Sequence, residues 1–226
     1  VGKTTLMRIV AGTEEPDEGT VAFNKEATFE YLSQIPALND DDNVLDAVMQ
    51  SRPTAFRLLH RYAELCAILD NLTAQGNTNT DDVHHELHDI NRALDNEGAW
   101  LLETEAKTML QKLGVSRFDE RIGNLSGGLK KRVALAKTLM SDVDLLILDE
   151  PTNHLDADSV QWLQDRLVSS PRAILLITHD RYFLDAVTTR IVELERGKLI
   201  SFPGNYENYV ERKSMITANE EATADH

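Results

Sequence analysis

The spacing of apolar positions changes along the chain, and each change predicts a different element. Leu6, Ile9 and Val10 follow helical spacing up to Gly12, the residue type that most easily takes a left-handed cap, so a short helix is expected after Lys3. PDEG, from Pro16 to Gly19, makes a turn, and TVAF and TFEYLS then read as two strands. Between Asn43 and Gly114 the period becomes helical. Leu58, Tyr62, Leu65, Leu69 and Leu72 form one stripe, and Val83, Leu87, Ile90 and Leu94 form another after the polar break QGNTNTDD. The two stripes predict an antiparallel helical hairpin that buries them against each other. From Asp144 onward strands and helices alternate. DLLILD and AILLIT are short, continuous apolar runs, the mark of parallel strands buried on both faces. RIVELERGKLISF predicts a hairpin turning at Arg196-Gly197, and ERKSMITANEEATADH is polar and reads as a fraying end or the start of a helix that continues. The pattern is that of an α/β core interrupted by a helical subdomain.

Length and charge narrow the picture. A chain of 226 residues can bury a substantial core as one large or two small domains. Its net charge of −15, from 38 acidic and 23 basic residues, gives an average field that repels nucleic acid unless basic side chains cluster locally. The one cysteine, Cys66, cannot form an internal disulfide, which favours a reducing compartment. No apolar run approaches the roughly 18 residues of a membrane span, and no signal-peptide pattern opens the chain; a cytoplasmic protein is expected.

The candidate chemistry lies in short motifs. GKTT, from Gly2, is the back half of a phosphate-binding loop, in which backbone N–H groups and a helix N-terminus face phosphate oxygens; alone, it could equally be an ordinary helix start. LLILDEP sets Asp149 and Glu150 just beyond an apolar strand, where open α/β sheets bind ligands. A carboxylate there can hold Mg²⁺, a small hard ion that takes oxygen ligands and substrate phosphates, while the neighbouring glutamate would face an attacking water; a polar turn is the plain alternative. LSGGLKKR places Ser126, Gly127 and Gly128 before a helical segment, suited either to an anion or to simple capping. His179 follows the strand AILLIT and Gln34 follows FEYLS, two side chains that by themselves would be read as structural.

Taken in order, GKTT, Gln34, LSGG, LILDEP, TNHLD and THD closely resemble the ATP-binding cassette (ABC) ATPases, over nearly the whole chain up to RGKL. That resemblance implies a P-loop nucleotide-binding domain with an α-helical subdomain, and ATP and Mg²⁺ as ligands. It implies that Gly2, Lys3, Thr4 and Thr5 bind nucleotide and that Thr4, Gln34 and Asp149 serve the metal. Glu150 would be the general base, with Gln34 and His179 completing the catalytic set. Ser126, Gly127 and Gly128 would complete the site of a second cassette, and Asn153, His154, Leu155 and Asp156 would lie at the interface between head-to-tail cassettes. DEPTNHLD and FPGNYENYVERK look like the ABC-F subfamily, whose members carry two cassettes in one chain, lack membrane domains and act on ribosomes. The segment HHELHDINRALDNEGAWLLETEAKTMLQKLGV further resembles the Uup-like branch. Leu129 stands where transporters commonly carry glutamine, a departure that ABC-F proteins tolerate.

The resulting expectation is a first cassette with a partial nucleotide-binding core at 1–39, a helical subdomain at 40–125, a signature helix and ATPase core at 126–203, and the start of an inter-cassette linker at 204–226. The front half of the phosphate loop is not in the sequence, nor is the strand that should feed it. Residues 1–226 alone are therefore expected to bind ATP weakly and hydrolyse none, with a gap in the sheet beside DLLILD and the N-terminal strands lacking. HHELH is not H-E-x-x-H and reads as a solvated helix face, and KKR, Lys130 to Arg132, reads as serving solubility or the cassette interface before RNA. An arm formed by the helical hairpin could reach ribosomal components. The alternative function is the ATP-binding subunit of an ABC membrane transporter.

Overall fold

A computed structural model describes residues 2–76, 80–195 and 197–224, with the backbone alone for 217–224. The chain divides into two compact units, Val1–Gln34 with Val143–His226, and Ile35–Asp142.

The first unit is built on a parallel three-stranded sheet in the order β1 (Phe29–Leu32), β2 (Leu145–Asp149), β3 (Ala173–Ile177). Registers Leu32↔Leu148 and Asp149↔Ile177 align the carboxyl ends of the strands on one edge. β2 is central, and Leu146, Ile147 and Leu148 are fully buried, as its uninterrupted apolar run requires. Asp144 fastens the opposite end: its carboxylate accepts from the Thr28 N–H at 2.8 Å and from the Thr28 hydroxyl at 3.1 Å. These donors hold the Asp144 carboxyl below the usual aspartate range.

Three expectations for this sheet are corrected. No gap lies beside DLLILD, because β2 has a strand on either side; the unpaired edges belong to β1 and β3 among the described residues. β3 is also not buried on both faces: its residues are exposed or half-buried, and Leu175 is 38% exposed. TVAF, residues 20–23, is not a strand. A strand is stable only when its backbone groups find a ladder, and no described strand pairs with this segment. Phe23 instead stacks on Phe29, with ring centroids 5.0 Å apart.

Helix α1 (Lys3–Val10) ends as its sequence predicts, with Gly12 at φ 68°. α7 (Ala157–Val168) and α8 (Arg181–Val187) begin at Asp156 and Asp180, whose carboxylates accept from the N–H groups of Ser159 and Phe183. The predicted hairpin is β4 (Arg190–Glu195) with β5 (Lys198–Pro203), paired Glu195↔Lys198; Arg196 of the expected turn lies outside the described residues. Last comes α9 (Tyr206–Ala224).

The GNYENY element is the device that starts α9. Asn205 Oδ1 accepts from the Asn208 N–H at 3.1 Å, and Asn208 Oδ1 accepts from the Asn205 N–H at 3.3 Å, a reciprocal capping box. Gly204 sits at φ 108°, and a Cβ there would lie 2.4 Å from Asn208 Oδ1. Tyr206 lies under the Arg181 guanidinium, and the Glu207 N–H donates to Asp185 at 2.9 Å. Lys213 donates to Glu193 and Glu195 while the Tyr209 hydroxyl donates to Glu193 at 2.9 Å. The start of α9 is thereby tied to α8 and to the β4–β5 hairpin.

The second unit is helical: α2 (Val44–Met49), α3 (Pro53–Ala74), α4 (Asp81–Asn96), α5 (Leu102–Lys112) and α6 (Gly127–Met140). α3 and α4 pack together as the predicted hairpin, with Leu65, Ile90 and Leu94 buried and Arg61 bridging to Glu86 at 2.7 Å. Part of its connecting break, residues 77–79, lies outside the described residues. The sequence groups the helix after LSGG with the α/β core. In the structure α6 packs on α2 and α5, burying Val133, Leu135, Ala136 and Leu139 within the helical unit. KKR is used inside this unit as well: Lys130 pairs with Asp40 at 2.6 Å and Arg132 donates to the Leu113 carbonyl at 3.0 Å.

Candidate functional site

The carboxyl ends of the parallel strands form an edge where loops converge, the usual position of a ligand in an open α/β sheet. β1 delivers Gln34 to this edge, two residues after Leu32. β2 delivers Asp149 and Glu150, and β3 delivers Thr178 and His179. The N-terminus of α1 adds Gly2, Lys3, Thr4 and Thr5. Gly2 is the N-cap, at φ 95°, a conformation open to glycine at little cost, and it frees the first N–H groups of α1 to point outward. Lys3 and Thr5 are exposed, while Thr4 is half-buried.

Residues far apart in sequence meet at this point. Gln34 Nε2 lies 3.4 Å from Thr4 Oγ1 and 3.4 Å from Asp149 Oδ1. Asp149 is 2% exposed, and its other carboxylate oxygen, Oδ2, is buried with no hydrogen-bond partner. An unpartnered buried carboxylate oxygen is costly unless a cation or donor joins it. One carboxylate, one hydroxyl and the Gln34 amide, once its side chain turns to present Oε1, make a set of hard oxygen donors, the kind Mg²⁺ takes when substrate phosphates and water complete its shell. The residues present therefore fit that ion.

Glu150 adopts φ 54°, a left-handed conformation uncommon for a side chain of this size and one that concentrates at functional sites. Its backbone N–H donates to the Ile177 carbonyl at 2.8 Å, continuing the β2–β3 ladder past the strand ends. Its side chain is only 7% exposed and is held by His179: Oε2 accepts from the His179 N–H at 3.3 Å, and Oε1 lies 3.3 Å from the ring Nε2. The two side chains that the sequence singled out separately thus form one pair. The imidazole itself remains 84% exposed, open to a ligand from the solvent side.

The remaining candidates are placed differently. Asn153 and His154 are exposed, with His154 also at φ 68°, and Leu155 is half-buried. Asp156 caps α7. In the helical unit, Ser126 caps α6 by accepting from the Leu129 N–H at 3.3 Å, and Gly127 has open space around it. His84, His85 and His88 are all exposed on α4. Sequence reasoning missed the left-handed backbone at Glu150 and His154, for which no residue type was a signal. It also missed Thr152 and Thr178, whose hydroxyls meet at 3.1 Å between the two motif loops.

This fold and site define the chain as an ABC-type nucleotide-binding domain. The family described as ABC transporter matches residues 1–153, and the chain belongs to it. Among named proteins it is 41% identical over 213 residues to the energy-dependent translational throttle protein EttA of Mycobacterium tuberculosis, covering 94% of this chain and 37% of that protein. It is 40% identical to the uncharacterized ABC transporter ATP-binding protein YfmR of Bacillus subtilis, over 97% of this chain and 34% of that one. It is 35% identical to the ATP-binding protein Uup of Haemophilus influenzae, over 94% and 32%. The similarity to EttA and Uup places it with the ABC-F proteins. The chain spans about a third of the length of these relatives. Among solved structures, an archaeal ABCE1 ribosome recycling factor, in complex with the ribosomal stalk protein aP1, matches with TM-score 0.61 at 24% identity, over 96% of this chain and 35% of that one. An ATP-binding subunit of an ABC transporter matches with TM-score 0.61 at 18% identity, over 93% and 82%. At these identities the structural matches speak for the fold alone. No helix among the described residues is long and apolar enough to cross a membrane.

Proposed function

We propose that this cassette binds ATP with Mg²⁺ and hydrolyses it to ADP and phosphate, within a two-cassette cytoplasmic protein that acts on the ribosome. The observation that carries the chemistry is the convergence of Thr4, Gln34 and Asp149, with its unpartnered buried Oδ2, beside the Glu150–His179 pair. The Lys3 ammonium and the N–H groups of Gly2, Lys3, Thr4 and Thr5 at the start of α1 attract phosphate charge. Thr4, Gln34 and Asp149 would hold Mg²⁺, which when bound neutralises charge on the phosphate oxygens. Glu150 takes a proton from the attacking water. His179 keeps that carboxylate oriented and offers its exposed ring to the terminal phosphate. Reactions of this kind depend mainly on positioning, which a left-handed Glu150 fixed through both its backbone and its side chain supplies.

Ser126, Gly127 and Gly128 are assigned to nucleotide held by a second cassette, and Asn153, His154, Leu155 and Asp156 to the face between cassettes. Because Ser126 and Asp156 already cap helices, their role is to present loop backbone in a fixed form. Support for the ribosomal half of the proposal is the identity with EttA, a protein named as a translational throttle. In the full polypeptide, Glu150→Gln is expected to lower ATP turnover by about 10²- to 10⁴-fold while ATP binding persists. Turnover at the unsubstituted rate would remove Glu150 from its role. The same protein is expected to sediment with ribosomes; recovery with a membrane permease instead would overturn the ribosomal assignment in favour of a transporter subunit.

A further inference from the structure

We propose that the hydroxyl pair Thr152–Thr178 is a positioning device that holds the loop of Glu150 and the loop of His179 in register. This rests on the function proposed above. Thr178 stands between β3 and His179, is 6% exposed, and follows the strand residue that accepts the Glu150 N–H. Its Oγ1 lies 3.1 Å from Thr152 Oγ1 and accepts from the Asp180 N–H at 3.2 Å. Thr152 lies two residues after Glu150, on the far side of Pro151. The pair therefore joins the two motif loops just past the ends of β2 and β3.

The geometry explains why such a joint is needed. Glu150 is held at φ 54°, a conformation that persists only when its surroundings determine it from several directions. The Ile177 carbonyl holds its N–H and the His179 N–H holds its carboxylate. The second of these is only as firm as the 179–180 backbone, and the Thr178 hydroxyl fixes that backbone by accepting from Asp180. Asp180 in turn caps α8 by accepting from the Phe183 N–H at 3.0 Å, so the stitch is anchored to a helix. Neither threonine touches the proposed ligands of the metal; both act through Glu150 and His179.

Thr178→Val keeps the shape and removes the hydroxyl, leaving the Asp180 N–H and the Thr152 hydroxyl without this partner, whereas Thr178→Ser keeps the bond. In the full polypeptide, Thr178→Val is expected to lower kcat for ATP about 10- to 100-fold with KM changed less than about twofold, because the reacting groups are misplaced while the phosphate-binding groups are not. Thr178→Ser should restore kcat. Without nucleotide, amide hydrogen exchange at Glu150, His179 and Asp180 should quicken about tenfold or more in Thr178→Val, the effect of losing one buried hydrogen bond, and should not in Thr178→Ser. Unchanged kcat and unchanged exchange in Thr178→Val would overturn the positioning role while leaving the ATPase assignment intact. Equal loss in kcat and in ATP affinity, without rescue by serine, would reduce the residue to packing and also overturn it. Absence of turnover in the unsubstituted protein would overturn the function proposed above, and the catalytic sense of the pair with it.

Discussion

Gly204→Ala tests how the GNYENY element starts the last helix. Two costs combine. An L-residue held at φ 108° is strained by about 1–3 kcal/mol. The new methyl would also lie 2.4 Å from Asn208 Oδ1 and 2.8 Å from Asn208 Cβ, far inside van der Waals contact, so the Asn208 side chain must swing away. That movement removes the acceptor for the Asn205 N–H and disturbs the bond from the Asn208 N–H to Asn205, and loss of a cap costs about 1 kcal/mol. The sum is about 2–4 kcal/mol. Because Asn205 to Tyr209 form one turn at the edge of the unit, the cost should appear as local opening. The assay is amide hydrogen exchange at Asn208 and Tyr209, whose protection should fall by about 30- to 1,000-fold. Asn208→Ala in the Gly204→Ala background should cost less than the two changes added separately, since the clash and the cap share one side chain. Exchange within about threefold of the unsubstituted protein would show that the backbone at Gly204 does not require glycine, and would refute the reasoning.

Asp144→Asn should lower the thermal midpoint of the first unit at neutral pH, because the Thr28 N–H and hydroxyl lose a charged acceptor. The folded carboxyl titrates below its unfolded value of about 3.9, so the stabilisation is present above that value and is lost as pH falls through the lower, folded one. The difference between the two proteins, followed by circular dichroism, should therefore shrink on acidification, and a difference that grew would contradict the assignment. In the helical unit Leu94→Ala, at a fully buried position of α4, should cost about 2–5 kcal/mol in urea unfolding. Arg61→Ala, which removes the exposed pair with Glu86, should shift the midpoint far less.

The order and kind of most elements were legible in the sequence because burial imposes a period on it. The stripes from Leu58 to Leu72 and from Val83 to Leu94 specified the hairpin of α3 and α4, since only one face of each helix leaves water. The run LLILD specified a buried strand for the same reason. The groups of the candidate site were legible too: a hydroxyl after Lys3, adjacent carboxylates after a strand, and a histidine after the next. Periodicity says which face is buried, but it does not say which strands become neighbours. The order β1-β2-β3, which makes β2 central and leaves β1 and β3 at the edges, was decided by pairing across the fold. The same limit hid the failure of TVAF to become a strand, for its residues suit one and only a partner was wanting.

The site shows this division most clearly. Thr4, Gln34 and Asp149 are separated by 30 and 115 residues, and the parallel register brings them within 3.4 Å steps of one another. Glu150 became a partner of His179 through a left-handed turn that no residue type announced. The sequence by itself determined which groups were available and on which elements they ride, because both follow from local composition and period. The tertiary structure decided which groups meet, which carboxylate oxygen is left without a partner and how the loops are stitched, because those depend on contacts between segments far apart in the chain.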